Sequence, residues 1–394
     1  MTTSMNNVDT LARHSPLASR LNYLTAHRIA EMFYQGIIDA HGAQRHPALA
    51  NCIVFSLAHI STTVNVSIYN SWMSVFENIY LVPKKSSLNT NLLRHISNPT
   101  RVFKARTRSN FQASIEEIKT LALASEMPVM LFDIGGYFAP YIEELSTLLG
   151  NRLLLVIEDT ANGHFKYADT PFHLNSDRFK SVAFDTYKMA ENVMVANIIL
   201  GHLRTFIPEW SVYKPILVVG YGRIGRSFCF ALRAMGAKKI TVMDTDKARL
   251  FMASTEGFET LMPKQVENVT DQYDYCFSMS GQFGVTASVV NAMKHESHLL
   301  VVTSYDDEFS PSVKLAFEAG SGDSLEWAGK RINIVNRGHP INLSASAAFD
   351  ARNLSLHFLF GRIFSAFLTS LGLSAQHDWE EQVYNDILSE IRPA

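Results

Sequence analysis

Short apolar runs rich in β-branched residues recur along this chain, and most of them stop at a glycine or a polar turn. "NCIVFSLAHI", "PVMLFDIGG" and "RLLLVIEDT" lie in the first half; "ILVV", "KITVMD", "YDYCFSMSG", "SHLLVVTS" and "RINIVNRG" lie in the second. Runs of this length, apolar on both faces, are expected of parallel strands covered by helices on each side. Longer amphipathic stretches separate them. "AENVMVANIILGHLRTF", Ala190 to Phe206, has apolar residues at helical spacing and predicts a long helix that stops before Pro208. The tail from Ser344 onward predicts mostly helix. This alternation is the signature of an α/β protein.

One strand runs directly into a glycine-rich turn. After "ILVV" come Gly220, Tyr221, Gly222, Arg223, Ile224 and Gly225, and then the amphipathic stretch "RSFCFALRAMG", which Gly236 closes. Each glycine has a physical role in a phosphate-cradling loop. Gly220 permits the tight turn, Gly222 lets the backbone approach a pyrophosphate, and Gly225 lets the helix pack on the strand. The helix N-terminus supplies N–H groups and the positive end of its dipole. Asp244 ends the next strand about twenty residues on, the place for a carboxylate that holds ribose hydroxyls and repels a 2′-phosphate. The set predicts a Rossmann domain with NAD as cofactor; Arg249 nearby keeps NADP open. Tyr221 is expected to pack over the phosphates.

Composition narrows the class. With 394 residues, 47% of them hydrophobic, the chain can bury two domains. A net charge of −2 gives no electrostatic footprint for nucleic acid. Cys52, Cys229 and Cys276 are scattered without metal spacing, which fits a reducing cytoplasm rather than a disulfide framework. The first twenty residues are polar, lack the apolar core of a signal peptide and are expected to be flexible. Leu354 to Leu373 is apolar enough to suggest a membrane span, but His357 and Arg362 within it favour a buried or subunit-interface helix.

Three further segments stand in order around the glycine loop: "FDIGGY", "VIEDTANGHFKY" and "AGKRINIVNRGHPINLSAS". Together with "GYGRIG" they resemble the S-adenosylhomocysteine hydrolase superfamily, over about residues 45 to 370. The resemblance implies a Rossmann NAD-binding domain inserted into a split α/β substrate-binding domain, with a C-terminal helical tail returning to the substrate side. The boundaries expected are 1–200, 201–344 and 345–394. It further implies a homo-oligomer, dimer or tetramer, acting on a small molecule, a nucleoside or related compound. In that family tightly held NAD oxidises a sugar hydroxyl, elimination and water addition follow, and the hydride returns.

Carried over residue by residue, the resemblance assigns Gly220, Gly222, Arg223, Ile224, Gly225, Asp244, Thr160, Asn162, Gly281 and Asn342 to the cofactor. It assigns His59, Asp133, Asp159, Lys188, Glu191 and Asn192 to catalysis or substrate. The substrate side departs from the family pattern. Ser61 replaces a substrate-contacting Thr, Asp159 a Glu, and Ile134 a catalytic Asp; Tyr187 stands at the lysine register, Ala196 at a Cys, and Phe349 where a closing His belongs. Bland readings stand beside these. Asp159 can be a helix N-cap, His59 a core histidine, and Lys188 with Glu191 a solvated ion pair. Lys84 and Lys85 can meet a substrate carboxylate or phosphate, or form a surface turn. Tyr305, Asp306 and Asp307 follow a strand at the ligand-binding edge. The functions left open are an NAD-dependent enzyme of altered substrate or outcome, a silent NAD-binding relative, and an ordinary hydroxy or amino acid dehydrogenase.

Overall fold

The computed structural model describes residues 26–343 and 354–391. These form two compact units, residues 26–191 with 354–391, and residues 192–343. The division falls between Glu191 and Asn192 rather than after residue 200. The expected flexibility of residues 1–20, and Phe349, lie outside the described residues.

The first unit is built on β1 (Ile53–Ile60), β2 (Ile79–Leu88), β3 (Val129–Asp133), β4 (Leu153–Glu158) and β5 (Phe179–Ser181). All pair in parallel, in the order β2-β1-β3-β4-β5. This is a doubly wound order, and its direction of winding reverses between β1 and β3. Helices α1 (Ala26–Ala40), α2 (Thr63–Val75), α3 (Gln112–Leu123), α4 (Ile142–Leu149) and α5 (Ala161–Ala168) accompany the strands. Helix α6 (Thr186–Phe206) starts at the end of this unit and continues the chain into the second. The apolar pattern does not reveal β2, because it carries Pro83 and two lysines. Pro is tolerated there because β2 is the sheet's edge strand.

The helices Leu354–Ser370 and Trp379–Ile391 belong to this first unit. Phe360, Phe364 and Phe367 pack around Trp72, whose indole is fully buried. Arg362, the residue that argued against a membrane span, is paired: its Nε lies 2.6 Å from Glu380, and Nη1 bonds Asp185. No helix among the described residues is long and apolar enough to cross a membrane.

The second unit carries β6 (Ile216–Val219), β7 (Ile240–Met243), β8 (Glu259–Leu261), β9 (Tyr273–Ser278), β10 (Met293–Val301), β11 (Ser324–Trp327) and β12 (Lys330–Ile334). Their order is β11-β12-β10-β9-β6-β7-β8, parallel except for the β11–β12 pair. Read from β8, this is the Rossmann order, with its switch point between β6 and β9. Helix α7 (Arg223–Ala234) follows β6, α8 (Lys247–Thr255) follows β7, and α9 (Pro311–Glu318) follows β10. The fold is therefore α/β with a Rossmann unit, as the periodicity implies.

Candidate functional site

In the second unit the three loop glycines do what their spacing suggests. Gly220 has φ +97°, a left-handed conformation that a side chain resists. A Cβ on Gly225 would lie 1.9 Å from the Gly220 carbonyl oxygen, so only a bare Cα lets α7 start so close to the loop. Gly222 caps α7, and the space above it is open; a Cβ there would meet nothing nearer than Arg249, at 4.0 Å. Arg223 and Ile224 open the helix, whose first N–H groups have no intrahelical acceptor. The arrangement fits a pyrophosphate.

Asp244 sits just beyond β7, 6% exposed. One oxygen accepts from Tyr221 N at 2.6 Å and the other from Asp246 N at 2.8 Å. The acid thus locks the glycine loop. Arg249 Nη1 is 3.8 Å away. Tyr221 does not pack over the phosphates: its ring is buried against Phe258, and its hydroxyl donates to Glu256 at 2.5 Å.

The remaining residues assigned to the second unit fall into two groups. Gly281 N donates to the carboxylate of Glu308 at 2.9 Å, so this N–H is spent inside the protein. Glu308 is fully buried and also accepts from Ser278, Ser280 and Thr303. Burial pushes its pKa up while these donors pull it down. It joins the loops after β9 and β10, and nothing in the chain marks it out beyond its place in "YDDEF". Asn342 differs: its Oδ1 is buried without a hydrogen-bond partner and suits a ligand amide. Tyr305 packs on Phe317 and under Gly338, and Asp306 pairs with Lys314 at 2.6 Å, so both serve the scaffold. Asn192 and Ala196 are buried along α6.

In the first unit, the carboxyl ends of β1, β3 and β4 bring a dense set of charges together. Lys188 Nζ is 2.8 Å from Asp159 and 2.7 Å from Glu191, with all three side chains largely buried. This is not a solvated pair. Burial pushes the Lys188 pKa down, but the two carboxylates outweigh it and hold the group above its ordinary value. Lys188 is therefore a permanent cation at neutral pH. The second oxygen of Asp159 is buried and has no hydrogen-bond partner. His59 Nδ1 lies 2.5 Å from Ser87 Oγ. Burial, with Lys84 and Lys188 nearby, holds His59 well below the usual histidine range, so it is neutral. Tyr187, at the expected lysine register, is tied by its hydroxyl to Glu380.

Two assignments are corrected here. Asp133 is fully buried and accepts from Tyr137 N, Phe138 N and the Tyr167 hydroxyl, which occupies it in closing the turn after β3. Thr160, not Asp159, is the N-cap of α5: its hydroxyl accepts from Gly163 N and donates to Glu158. Neither Asp133 nor Thr160 presents a free polar group. Asn162 is half-buried in the first turn of α5. Ser61 Oγ bonds Asn65.

Glu158 is the residue that sequence reading passed over. Fully buried, it accepts from the N–H groups of Gly135, Gly136 and Thr160. Burial and the adjacent Asp133 carboxylate push its pKa up, against the pull of those donors. It explains Gly163, where a Cβ would strike the carboxylate at 2.1 Å. Lys84 is no surface turn. It sits half-buried on β2, donating to the Ile134 carbonyl at 3.3 Å, while Lys85 is exposed. Ile134 itself is buried, an apolar group where the resemblance calls for an acid. No group of His, Cys, Asp or Glu among the described residues is arranged to hold a metal.

No known protein-family model matches the chain. Among solved structures it is similar to a dipicolinate synthase subunit from Bacillus halodurans, 13% identical, covering 81% of this chain and 98% of that one, with a TM-score of 0.43. The corresponding dipicolinate synthase polypeptide from Bacillus subtilis is 11% identical, with 82% and 98% covered, at a TM-score of 0.43. Shikimate 5-dehydrogenase from Thermus thermophilus, solved with NADP(H) and shikimate, is 16% identical over 43% of this chain and 61% of that one, at a TM-score of 0.28.

Proposed function

We propose that this chain is a nicotinamide-dependent enzyme that oxidises a hydroxyl of a small molecule, with the dinucleotide held by the second unit and the substrate by the first. The observation that carries the reading is the glycine loop, where the 1.9 Å approach at Gly225 and the open face of Gly222 make a pyrophosphate cradle at the switch point. Asp244 supports NAD over NADP, since its charge opposes a 2′-phosphate. Gly220, Gly222, Gly225 and Asp244 would hold the dinucleotide, and its nicotinamide would supply a hydride acceptor. In the first unit, neutral His59, hydrogen-bonded to Ser87, is a partner for a substrate hydroxyl. Lys188 and the unpartnered oxygen of Asp159, in the same unit, offer a substrate one cation and one acceptor. The resemblance to adenosylhomocysteine hydrolases supports a sugar or nucleoside hydroxyl as the target, with outcome or substrate altered where Ile134 replaces an acid.

The test is to denature the purified protein and identify released small molecules by mass spectrometry, then to follow nicotinamide absorbance on adding hydroxylated substrates. Bound NAD with a substrate-dependent absorbance change is the expected result. Absence of any dinucleotide, in the released fraction and in direct titration, overturns the reading. Bound NAD with no redox change for any substrate leaves only the silent relative.

A further inference from the structure

We propose that Arg249 reads the 2′ position of the adenosine ribose, so that the second unit takes a 2′-phosphorylated dinucleotide, NADP, as well as NAD. This rests on the reading of the glycine loop as a dinucleotide cradle. Asp244, the acid expected to hold the ribose, is not an isolated charge. Its two oxygens accept from the backbone N–H groups of Tyr221, at 2.6 Å, and Asp246, at 2.8 Å. Arg249 Nη1 stands 3.8 Å from the oxygen that Tyr221 N occupies. The same Nη1 lies 4.0 Å from the point a Cβ would occupy on Gly222. One atom of Arg249 thus borders both the acid and the open face of the glycine loop. A phosphate on the 2′ oxygen of a ribose held by Asp244 comes within its reach.

The helix start fixes the residue there. Arg249 lies in the first turn of α8, which Asp246 caps by accepting from Ala248 N at 2.8 Å and Arg249 N at 3.3 Å. The guanidinium Nε is 3.6 Å from the other Asp246 oxygen. Two carboxylates are therefore close, but neither is at hydrogen-bond distance, and the Arg249 side chain makes no hydrogen bond among the described residues. An arginine that served only to balance these acids would fork onto one of them. Arg337, more exposed and in the same unit, does this on Asp323, at 2.8 and 3.3 Å. Arg249 stands off both acids and keeps its planar set of donors, the geometry that pairs two oxygens of a phosphate. A neutral ribose offers that charge no counterpart. A 2′-phosphate does, and its attraction to Arg249 opposes the repulsion from Asp244. Asp246 is engaged in the helix cap and half-exposed, where solvent screens its charge.

Calorimetric titration of the full chain with NAD and with NADP tests this, alongside ADP and adenosine 2′,5′-bisphosphate as probes of the adenosine end alone. The expected result is NADP binding within about tenfold of NAD. Arg249→Gln should weaken NADP and the bisphosphate about tenfold or more, and NAD and ADP less than about threefold. Arg249→Lys, which keeps the charge but not the fork, should fall between. Circular dichroism confirms that each variant is folded, and Arg249→Lys carries the test alone if the glutamine variant is not. NADP binding weaker than NAD by more than about tenfold overturns the proposal, as does an Arg249 variant that weakens both dinucleotides equally or neither. In each of those outcomes NAD still binds and the proposed function stands. Binding of neither dinucleotide overturns the reading of the glycine loop, and this proposal with it.

Discussion

The two glycine turns of this molecule occupy equivalent places and present opposite chemistry. Gly135–Gly136 follows β3 and Gly220–Gly225 follows β6, each at the reversal of its own parallel sheet. In the second unit the turn runs into the start of α7, so a helix N-terminus faces the ligand edge. In the first unit the N–H groups of Gly135 through Phe138 are taken up by Glu158 and Asp133. What remains outward is carbonyl, and carbonyls gather lysine and arginine. One turn leaves its backbone donors at a helix start; the other spends them on buried carboxylates and turns its carbonyls to Arg108 and Lys166.

Substitutions can break this contrast, and the largest effect belongs to the charged side. Lys188→Met strands Asp159 and Glu191 as buried carboxylates; it should cost about 3–5 kcal/mol in a denaturant titration and remove activity. Gly225→Ala drives a methyl into the Gly220 carbonyl. It should cost about 1–3 kcal/mol and abolish dinucleotide binding, while Gly222→Ala, facing open space, should change stability by less than about 0.5 kcal/mol yet still weaken the cofactor. A similar melting temperature for the two variants would sink the distinction between the two glycines.

His357 sharpens the comparison from the scaffold of the first unit. Its ring is fully buried against Phe33, and neither nitrogen has a hydrogen-bond partner; burial lowers its pKa from 6.5 to about 3. The folded state resists protonation, so this contribution is present above pH 6.5 and is lost as pH falls from there through about 3. His357→Phe should add about 1–3 kcal/mol at neutral pH and flatten that acid-side decline. Thermal melts from pH 4 to 8 would show it, and an unchanged slope would refute it. Smallest are the helix caps. Asp246→Ala, at a solvated cap of α8, should cost about 0.5–1 kcal/mol. Thr160→Ala should cost more, about 1–2 kcal/mol, because it also removes a donor from buried Glu158.

Sequence alone determined the local features. The strands β1, β3, β4, β6, β7, β9, β10 and β12 were legible because a buried parallel strand is a continuous apolar run. The glycine loop was legible because tight turn, close approach and helix packing each leave a glycine at a fixed offset. Asp159, Lys188, Glu191 and His59 were legible as polar residues at strand or helix ends, and the structure gathers them at one end of the first sheet.

Only the tertiary structure decided which carboxylates hold the protein together and which keep an unpartnered oxygen. Asp133 and Asp159 look alike in the chain, yet one is saturated by a turn and the other keeps a bare oxygen. Glu158 and Glu308 look like ordinary strand-end and loop acids until burial places backbone donors around them. Lys84, Arg108 and Lys166 meet only because β2, the loop before α3 and α5 end at the same sheet edge. The physical reason is range: periodicity and turn chemistry act over a few residues, whereas charge, burial and convergence depend on segments far apart in the chain.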